Sequence, residues 1–425
     1  MSAARRGRFQ TALAWNFASL AVLGVAGIAL NALIGALYDE SALGIFNQAL
    51  AAYVFFSQAA VGGLDRSLLK QVAARAHERA RVAATLAAAL VPGVLLALAV
   101  TLAFWLARGV LGRWLASPGT AEAIGWATPG LFFFALNKLL LATVNGLQRM
   151  RAFAVYQALR YVLILAALGG FALLDRERTQ AAHLAGVFSV AEACLFLVLL
   201  PEVWLQVRGG LERGWTELIR PHLAFGLKSI GSGVLLELNA RVDVLMIGWF
   251  MSDRDVGVYT FAAMIAEGLY QLLVVLQNLY NPILARGLAE GALDELHATI
   301  RRGKLRTYLG MLALAALAVL LYPLAVQLLG GKPGFAESSV PFRWLMLGIL
   351  LCAGYVPFAQ TLLMAGFPGT HTLYMLLSVG INLLGNALLV PRLGISGAAI
   401  ATAASMFLSV FVLAACVRAR TGLRL

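Results

Sequence analysis

Three charged side chains in the first half of the chain lie within long apolar stretches. Lys138 and Arg160 are cations, and Glu192 is an acid. Charged groups in such surroundings are costly and are usually functional or paired. Lysine and arginine suit an anionic ligand such as phosphate, which a guanidinium can contact through two hydrogen bonds. The alternative is internal pairing of Glu192 with Lys138 or Arg160.

A second group of charged residues follows in the apolar stretch from 223 to 250. Glu237 and Arg241 are four residues apart and can pair along a helix. Asp243 lies on nearly the opposite face, where Lys228 is about four turns away. Asp243 should therefore pair with another helix or face water. A desolvated acid such as Glu267 or Glu192 could instead carry a proton.

Polar residues also recur at helical spacing in two other apolar stretches. At 100° per residue, those of the first stripe share one face about 80° wide. These residues are Thr260, Glu267, Gln271, Asn278 and Asn281. A second stripe, again on one face, comprises Asn47, Gln58 and Asp65. Two such helices indicate a wetted central cavity, and the alternative is hydrogen bonding between helices without ligand contact.

The composition determines which elements must position these groups. The 425-residue chain is 61% hydrophobic and 12% charged, with a mean hydropathy of +0.84. This excludes disorder, a nucleic-acid-binding domain and an ordinary soluble enzyme. The three cysteines and five histidines lack metal-ligand spacing, and no nucleotide-binding or catalytic-triad motif occurs. We therefore expect an all-α integral membrane protein that is not an enzyme and has no metal or cofactor.

Hydropathy predicts twelve membrane-spanning helices, since each needs about 20 apolar residues. They lie near 11–37, 42–63, 83–107, 123–146, 153–174, 181–205, 223–250, 256–282, 307–329, 342–365, 371–390 and 395–417. Of the 33 lysines and arginines, 21 fall in one set of alternate loops and 8 in the other. The positive-inside rule places both termini in the cytoplasm. The net charge of +13 therefore reports topology rather than a nucleic-acid partner.

An internal repeat supports two equivalent halves. A shift of 213 residues aligns the segment 34–46 with 247–259, so that Leu-Gly-Ile-Phe falls on Val-Gly-Val-Tyr. Ile34, Gly35 and Gly44 recur as identical residues. Six spans separate the copies, which predicts a parallel repeat with its axis along the membrane normal and a central cavity between the halves.

Two segments carry a family resemblance. The first is Asn239-Ala-Arg-Val-Asp-Val-Leu-Met-Ile-Gly-Trp-Phe250, continued by Met251-Ser-Asp-Arg-Asp-Val-Gly-Val-Tyr-Thr-Phe-Ala-Ala263. The second is Asn382-Leu-Leu-Gly-Asn-Ala-Leu-Leu-Val-Pro-Arg-Leu-Gly-Ile-Ser-Gly-Ala-Ala-Ile-Ala-Thr402. They resemble the helix 7–8 and helix 11–12 signatures of polysaccharide biosynthesis and export proteins. These are the Wzx-type flippases of the multidrug/oligosaccharidyl-lipid/polysaccharide (MOP) superfamily, which is MATE-like in fold.

The resemblance implies two pseudo-symmetric six-helix lobes around a cavity that alternates between inward and outward openings. We expect an N-terminal lobe at 1–206, a cytoplasmic linker at 207–222 and a C-terminal lobe at 223–425. It also implies transport of undecaprenyl-diphosphate-linked oligosaccharide, a repeat unit of O-antigen, capsule or exopolysaccharide, across the bacterial inner membrane. Membrane lipids, and polymerases or glycosyltransferases of the same pathway, are the expected partners.

That implied substrate gives the polar residues candidate roles. The diphosphate requires cations, for which the candidates are Lys138, Arg160 and Arg241. Hydrogen-bonding walls for the sugar would come from Asn47, Gln58, Gln271 and Asn278. Asp243 and Glu267 are the candidates for ion coupling.

Three alternatives remain. The first is a cation-coupled drug or metabolite antiporter of the same superfamily, which would need acidic rather than cationic cavity groups. The second is a lipid II flippase for peptidoglycan, which commonly has fourteen spans. The third is a membrane glycosyltransferase or ligase, which would usually need a sizeable loop with acidic catalytic residues.

Overall fold

The computed structural model describes residues 22, 24–175, 181–208, 212–330 and 332–425. The start of the first predicted span and part of the predicted linker lie outside these residues. Nearly all of the described chain is helical, and no strand occurs within those ranges. The protein is therefore an all-α, multi-pass membrane protein. Eight helices among the described residues are long and apolar enough to cross a membrane.

The helices follow one another with short connections and are numbered here in chain order. They are α1 (Gly24–Leu37), α2 (Glu40–Val61), α3 (Leu64–Ala74), α4 (Arg79–Trp114), α5 (Pro118–Gly146), α6 (Met150–Leu174), α7 (Gly186–Val207), α8 (Ile219–Phe250), α9 (Asp253–Glu290), α10 (Leu293–Ala325), α11 (Ser339–Cys352), α12 (Thr361–Met364) and α13 (Pro368–Thr421). Short 3₁₀ segments precede α7, α8 and α11, at Ala181–Ala185, Trp215–Leu218 and Pro333–Ser338.

Helix α13 contains the last two predicted spans. Its helical geometry is interrupted at Gly394, where φ is 61° and ψ is −143°. Only glycine adopts this conformation readily. The interruption lies at the end of the Pro-Arg-Leu-Gly segment that the hydropathy pattern marks as a turn. After the interruption, Gly397 packs closely on the part of α13 that precedes Gly394. A Cβ added to Gly397 would lie 2.3 Å from the Leu389 carbonyl oxygen.

The tenth predicted span, 342–365, is discontinuous rather than a single helix. Helix α11 ends at Cys352, a 3₁₀ segment occupies Val356–Phe358, and α12 adds one turn. Pro357 lacks the amide proton that a continuous helix requires. The Gln277 side chain of α9 donates a hydrogen bond to the Val356 carbonyl at 2.9 Å. This bond satisfies a backbone acceptor in the interrupted stretch, where an unpaired carbonyl would be costly.

The chain divides into two compact units. The first comprises the described residues up to Leu30 together with Gln48–Glu237, and the second comprises Asn31–Asn47 and Leu238–Leu425. The boundary falls inside α8, which continues unbroken through Glu237 and Leu238. The division into lobes at 1–206 and 223–425, which assigns residues by chain order alone, stays a prediction.

Each unit has its own apolar core. In the first, side chains of α3, α4, α5 and α7 form a buried cluster that includes Leu68, Leu139 and Leu199. In the second, residues of α9, α10, α13 and the interrupted stretch before α13 pack around Phe358 and Leu413. These cores hold fixed the helices that carry the charged groups described below.

Within the second unit, the two copies of the internal repeat contact each other. A Cβ added to Gly44 would lie 1.8 Å from the carbonyl oxygen of Asp253. A Cβ added to Gly257 would lie 1.7 Å from that of Glu40. The 213-residue shift places Gly44 on Gly257 and Glu40 on Asp253, so it exchanges the two contacts. The glycines therefore recur because two helix N-termini approach each other backbone to backbone, in the reciprocal manner of a two-fold contact.

Candidate functional site: two intramembrane polar clusters

Arg160, Glu192 and Asn137 form a buried polar cluster in the first unit, on α6, α7 and α5. The Arg160 Nε lies 2.8 Å from Glu192 Oε1, and its Nη2 lies 3.3 Å from Oε2. Asn137 donates through Nδ2 to Glu192 Oε2 at 2.8 Å and to the Glu192 backbone carbonyl at 2.8 Å. The charge of Arg160 is thus compensated inside the protein, which is one of the alternatives that the sequence left open.

Lys138 lies next to this cluster but is not part of it. Its Nζ is 5.5 Å from the centroid of the Phe134 ring, and the guanidinium carbon of Arg160 is 4.9 Å from the same centroid. Among the described residues, Lys138 makes no hydrogen bond or ion pair. Its side chain is only half-buried. Lys138 is therefore the cation of the pair without a direct acidic partner among the described residues.

A second cluster surrounds Asp243 on α8, in the second unit. Tyr259 and Thr402 each donate a hydroxyl to Asp243 Oδ2 at 2.7 Å. Asn386 donates its amide to Oδ1 at 3.1 Å and also to Asn382 Oδ1 at 2.8 Å. No cation pairs with Asp243 among the described ion pairs. Three donors thus hold the carboxylate on the interior side of α8, as expected for pairing with other helices.

The two family-like segments meet at this carboxylate. Asp243 and Tyr259 belong to the first segment, whereas Asn382, Asn386 and Thr402 belong to the second. The sequence pattern indicated Asp243 but neither its three donors nor Asn382. The available signal was that Asn382, Asn386 and Thr402 are polar residues of the second signature and that Tyr259 ends the second copy of the repeat. The segments are therefore joined by a hydrogen-bond network as well as by helix packing.

The predicted stripe on α9 divides into exposed and internal residues. Glu267, Gln271 and Asn278 are exposed. Thr260 is buried, and Asn281 donates to the Gln360 side chain at 2.8 Å. The exposed residues can contact a ligand. Asn281 instead forms a hydrogen bond between structural elements, which was the alternative interpretation of the stripe.

The remaining candidates have different surroundings. Asn47 is 1% exposed and donates to Asn31 Oδ1 at 2.8 Å and to the Leu43 carbonyl at 2.9 Å, so it is an interior residue in this structure. Gln58 is half-buried. Arg241 is also half-buried, and its buried Nε has no hydrogen-bond partner in the described part of the chain. No group of three or more potential metal ligands occurs among the described residues.

The fold matches solved membrane transporters. An inward-facing multidrug resistance MATE family transporter of the MOP superfamily aligns with a TM-score of 0.77 at 15% identity, over 93% of this chain and 94% of that one. The lipid II flippase MurJ, in an inward closed conformation, aligns with a TM-score of 0.76 at 12% identity, over 96% and 87%. A MOP superfamily transporter from Pyrococcus furiosus, described as having a binding pocket of reversed polarity, gives 0.68 at 13% identity, over 95% and 93%. No curated protein sequence matches the chain.

The helical architecture is therefore the fold that these MOP superfamily proteins share. The family model described as polysaccharide biosynthesis protein matches residues 19–289, which is more than half of the chain. The chain belongs to this polysaccharide biosynthesis family. The family resemblance is thereby confirmed; the matched residues include the first of the two segments, and the second lies beyond them.

Proposed function

We propose that this protein moves undecaprenyl-diphosphate-linked oligosaccharides from the inner to the outer leaflet of the bacterial inner membrane by alternating access. The observation that carries the proposal is Lys138, a half-buried cation without an ion pair among the described residues. A cation in an apolar helix bundle is expensive unless an anion joins it. The diphosphate of a lipid-linked sugar supplies such an anion.

The neighbouring Arg160 is a second cation near the phosphate site, but its charge is paired with Glu192. Glu192 now compensates its charge at 2.8 Å, while Phe134 lies under both cations. A diphosphate at Lys138 would add negative charge beside Arg160 without requiring the buried Glu192 pair to break. In this arrangement Lys138 contacts the ligand, and Arg160 contributes at longer range. Arg241 stays a candidate in the second unit.

The sugar would contact the exposed polar face of α9. Gln271 and Asn278 offer both donors and acceptors there, as hydroxyl-rich ligands require. The half-buried Gln58 on α2 is a further candidate. Asn47 is proposed only as a support for this wall, because its amide is occupied by Asn31.

Energy for transport would come from an ion gradient coupled through Asp243. Its carboxylate accepts three hydrogen bonds but has no cation beside it within the described residues. The buried Oδ1 of Asn386 has no partner, so a further oxygen is available at the same place. A proton or a small monovalent cation would neutralise this group. The exposed Glu267 is the second candidate carrier.

A drug or metabolite antiporter is the second candidate function. The exposed Glu267 favours it, because a carboxylate on an accessible face suits a cationic substrate. Lys138 argues against it, since a cation in the apolar bundle would repel that substrate. The two functions therefore predict opposite consequences of removing Lys138.

The test is complementation of a strain that lacks the gene, with surface polysaccharide and lipid-linked oligosaccharide both measured. Lys138→Ala is expected to abolish surface polymer and to leave the lipid-linked precursor accumulated, at unchanged protein level. Lys138→Arg should retain activity. Arg113→Ala, which removes an exposed cation at the end of α4, is the matched control. Normal polymer production by Lys138→Ala, or increased drug resistance, would contradict the proposed flippase.

The same strain tests the proposed topology. Both termini should lie in the cytoplasm, which reporter fusions at each end can measure. A periplasmic signal from either terminus would reverse the orientation predicted from the charge distribution.

A further inference from the structure

A cavity of about 480 Å³ lies in the first unit, and no residue of the two polar clusters lines it. Its lining comprises Arg108, Gly109, Ala121, Glu122, Gly125 and Trp126, from α4 and α5. The charge distribution places these ends of α4 and α5 on the outer side of the membrane. Trp105 and Trp126 are 42% and 44% exposed, which is typical of the membrane–water interface. The cavity is therefore expected at headgroup level.

Arg108 is held in place but is not neutralised. Its guanidinium carbon lies 4.3 Å from the centroid of the Trp105 ring. Its Nη1 lies 3.3 Å from the position of a Cβ added to Gly125, so the glycine makes room for it. Among the described residues Arg108 makes no hydrogen bond and no ion pair. A stacked, planar guanidinium with free donors is suited to bind a phosphate through two hydrogen bonds.

Glu122 lies about one helical turn from Gly125 on the same face of α5 and lines the cavity together with Arg108. His183 contacts its Oε1 through Nε2 at 3.3 Å, and the Glu122 side chain remains 58% exposed. The His183 ring also packs on Trp126, with 4.6 Å between centroids. The carboxylate and the indole thus form an oriented pair that can hold a cation. A purely anionic ligand would be repelled by Glu122.

We propose that this cavity binds the headgroup of a phosphatidylethanolamine-type lipid of the outer leaflet. The phosphate would contact Arg108, and the ammonium would contact Glu122 and the face of Trp126. A zwitterion matches the cavity because one cation and one acid both line it. His183 acts as a positioning residue through Glu122. This site does not depend on the identity of the transported substrate.

The test is native mass spectrometry of the full, delipidated chain titrated with defined lipids. Phosphatidylethanolamine and phosphatidylglycerol with identical acyl chains are compared, and soluble ethanolamine phosphate is added as a competitor. The wild type should bind phosphatidylethanolamine more tightly than phosphatidylglycerol. Ethanolamine phosphate should compete only weakly, because it lacks the acyl chains. Equal binding of the two lipids, or displacement by ethanolamine phosphate at concentrations equal to the lipid, would overturn the proposal.

Variants locate the site. Arg108→Ala should weaken phosphatidylethanolamine binding about 10-fold, because a bidentate phosphate contact is lost. Glu122→Gln should keep phosphate binding but lose the preference between the two lipids. Arg392→Ala, which removes an exposed cation of α13 that does not line this cavity, should change neither value. Arg108→Lys retains the charge without the planar donors and should give an intermediate loss. Equal affinities of Arg108→Ala and Arg392→Ala would refute the assignment, and the lysine variant serves if the alanine variant does not fold.

Discussion

Breaking the buried Arg160–Glu192 pair should cost far more stability than breaking a surface pair. Glu192→Gln keeps the shape of the side chain and the bond from Asn137 but leaves the Arg160 charge uncompensated. The two side chains are 11% and 4% exposed. Removing one partner of a buried pair costs about 3–5 kcal/mol. One contact is short, at 2.8 Å, and the other is long, at 3.3 Å, so we expect about 3 kcal/mol, near the lower bound.

The matched control is Glu212→Gln, which breaks the Arg81–Glu212 pair of the same unit. That pair has a similar distance of 3.0 Å, but its side chains are 24% and 43% exposed. Exposed pairs contribute only about 0–1 kcal/mol. The pair of variants thus separates burial from the mere presence of an ion pair.

The assay is the free energy of unfolding of the purified protein in mixed micelles, measured by titration with a denaturing detergent. The double variant Arg160→Met/Glu192→Met should recover most of the loss, because no unpaired charge remains buried. A loss of less than about 1 kcal/mol for Glu192→Gln, equal to that of the surface control, would refute the reasoning. A double variant no better than Glu192→Gln would show that packing, rather than charge, determines the loss.

Three further predictions follow from other contacts. Gly130→Ala should destabilise the protein by about 1–3 kcal/mol in the same unfolding titration, because a Cβ there would lie 2.8 Å from the Phe188 backbone. The control is Gly169→Ala, where an added Cβ has nothing within 4 Å and should be neutral or stabilising. Asp243→Asn should abolish dependence of transport on the ion gradient in proteoliposomes, and a variant that keeps this dependence would exclude Asp243 as the carrier. Burial lowers the pKa of His222, in the first turn of α8, from 6.5 to about 4. As the pH falls, the unfolded chain therefore binds this proton before the folded chain does, and thermal stability should fall from pH 6.5 towards pH 4. The decrease should be less steep in His222→Gln. Equal decreases of stability with pH in the variant and the wild type would contradict the burial argument.

Hydropathy was sufficient to predict most of the long helices but not the partners of their polar residues. Arg160 and Glu192 are 32 residues apart, and Asp243 and Thr402 are 159 apart. Such pairs depend on how helices cross, which a 3.6-residue period does not specify. The sequence could therefore predict that Asp243 pairs with another helix or faces water, and it left the partners open. Asn47 illustrates the same limit, because its place on a polar stripe did not show that Asn31 would occupy its amide.

The discontinuity after α11 was missed for a different reason. The segment from 342 to 365 is apolar except near its two ends, at Arg343 and at Gln360 and Thr361, so hydropathy predicts one span. Pro357 was the available signal, but proline is tolerated in membrane helices when a neighbour satisfies the released carbonyl. Here Gln277 performs that role from another helix. The interruption thus depends on a tertiary hydrogen bond that local pattern does not contain.

The reciprocal contact of Gly44 and Gly257 couples the evolution of two codons far apart in the gene. Each glycine faces the backbone of the other copy, at 1.8 and 1.7 Å from an added Cβ. A substitution at either position would force the same two helix ends apart. That displacement would also make room for a side chain at the second position. The two mutations should therefore be non-additive, with the double variant costing little more than one alone. Purifying selection therefore acts on the shared contact rather than on either glycine alone. As long as the contact is intact, selection against opening it restrains substitution at both positions.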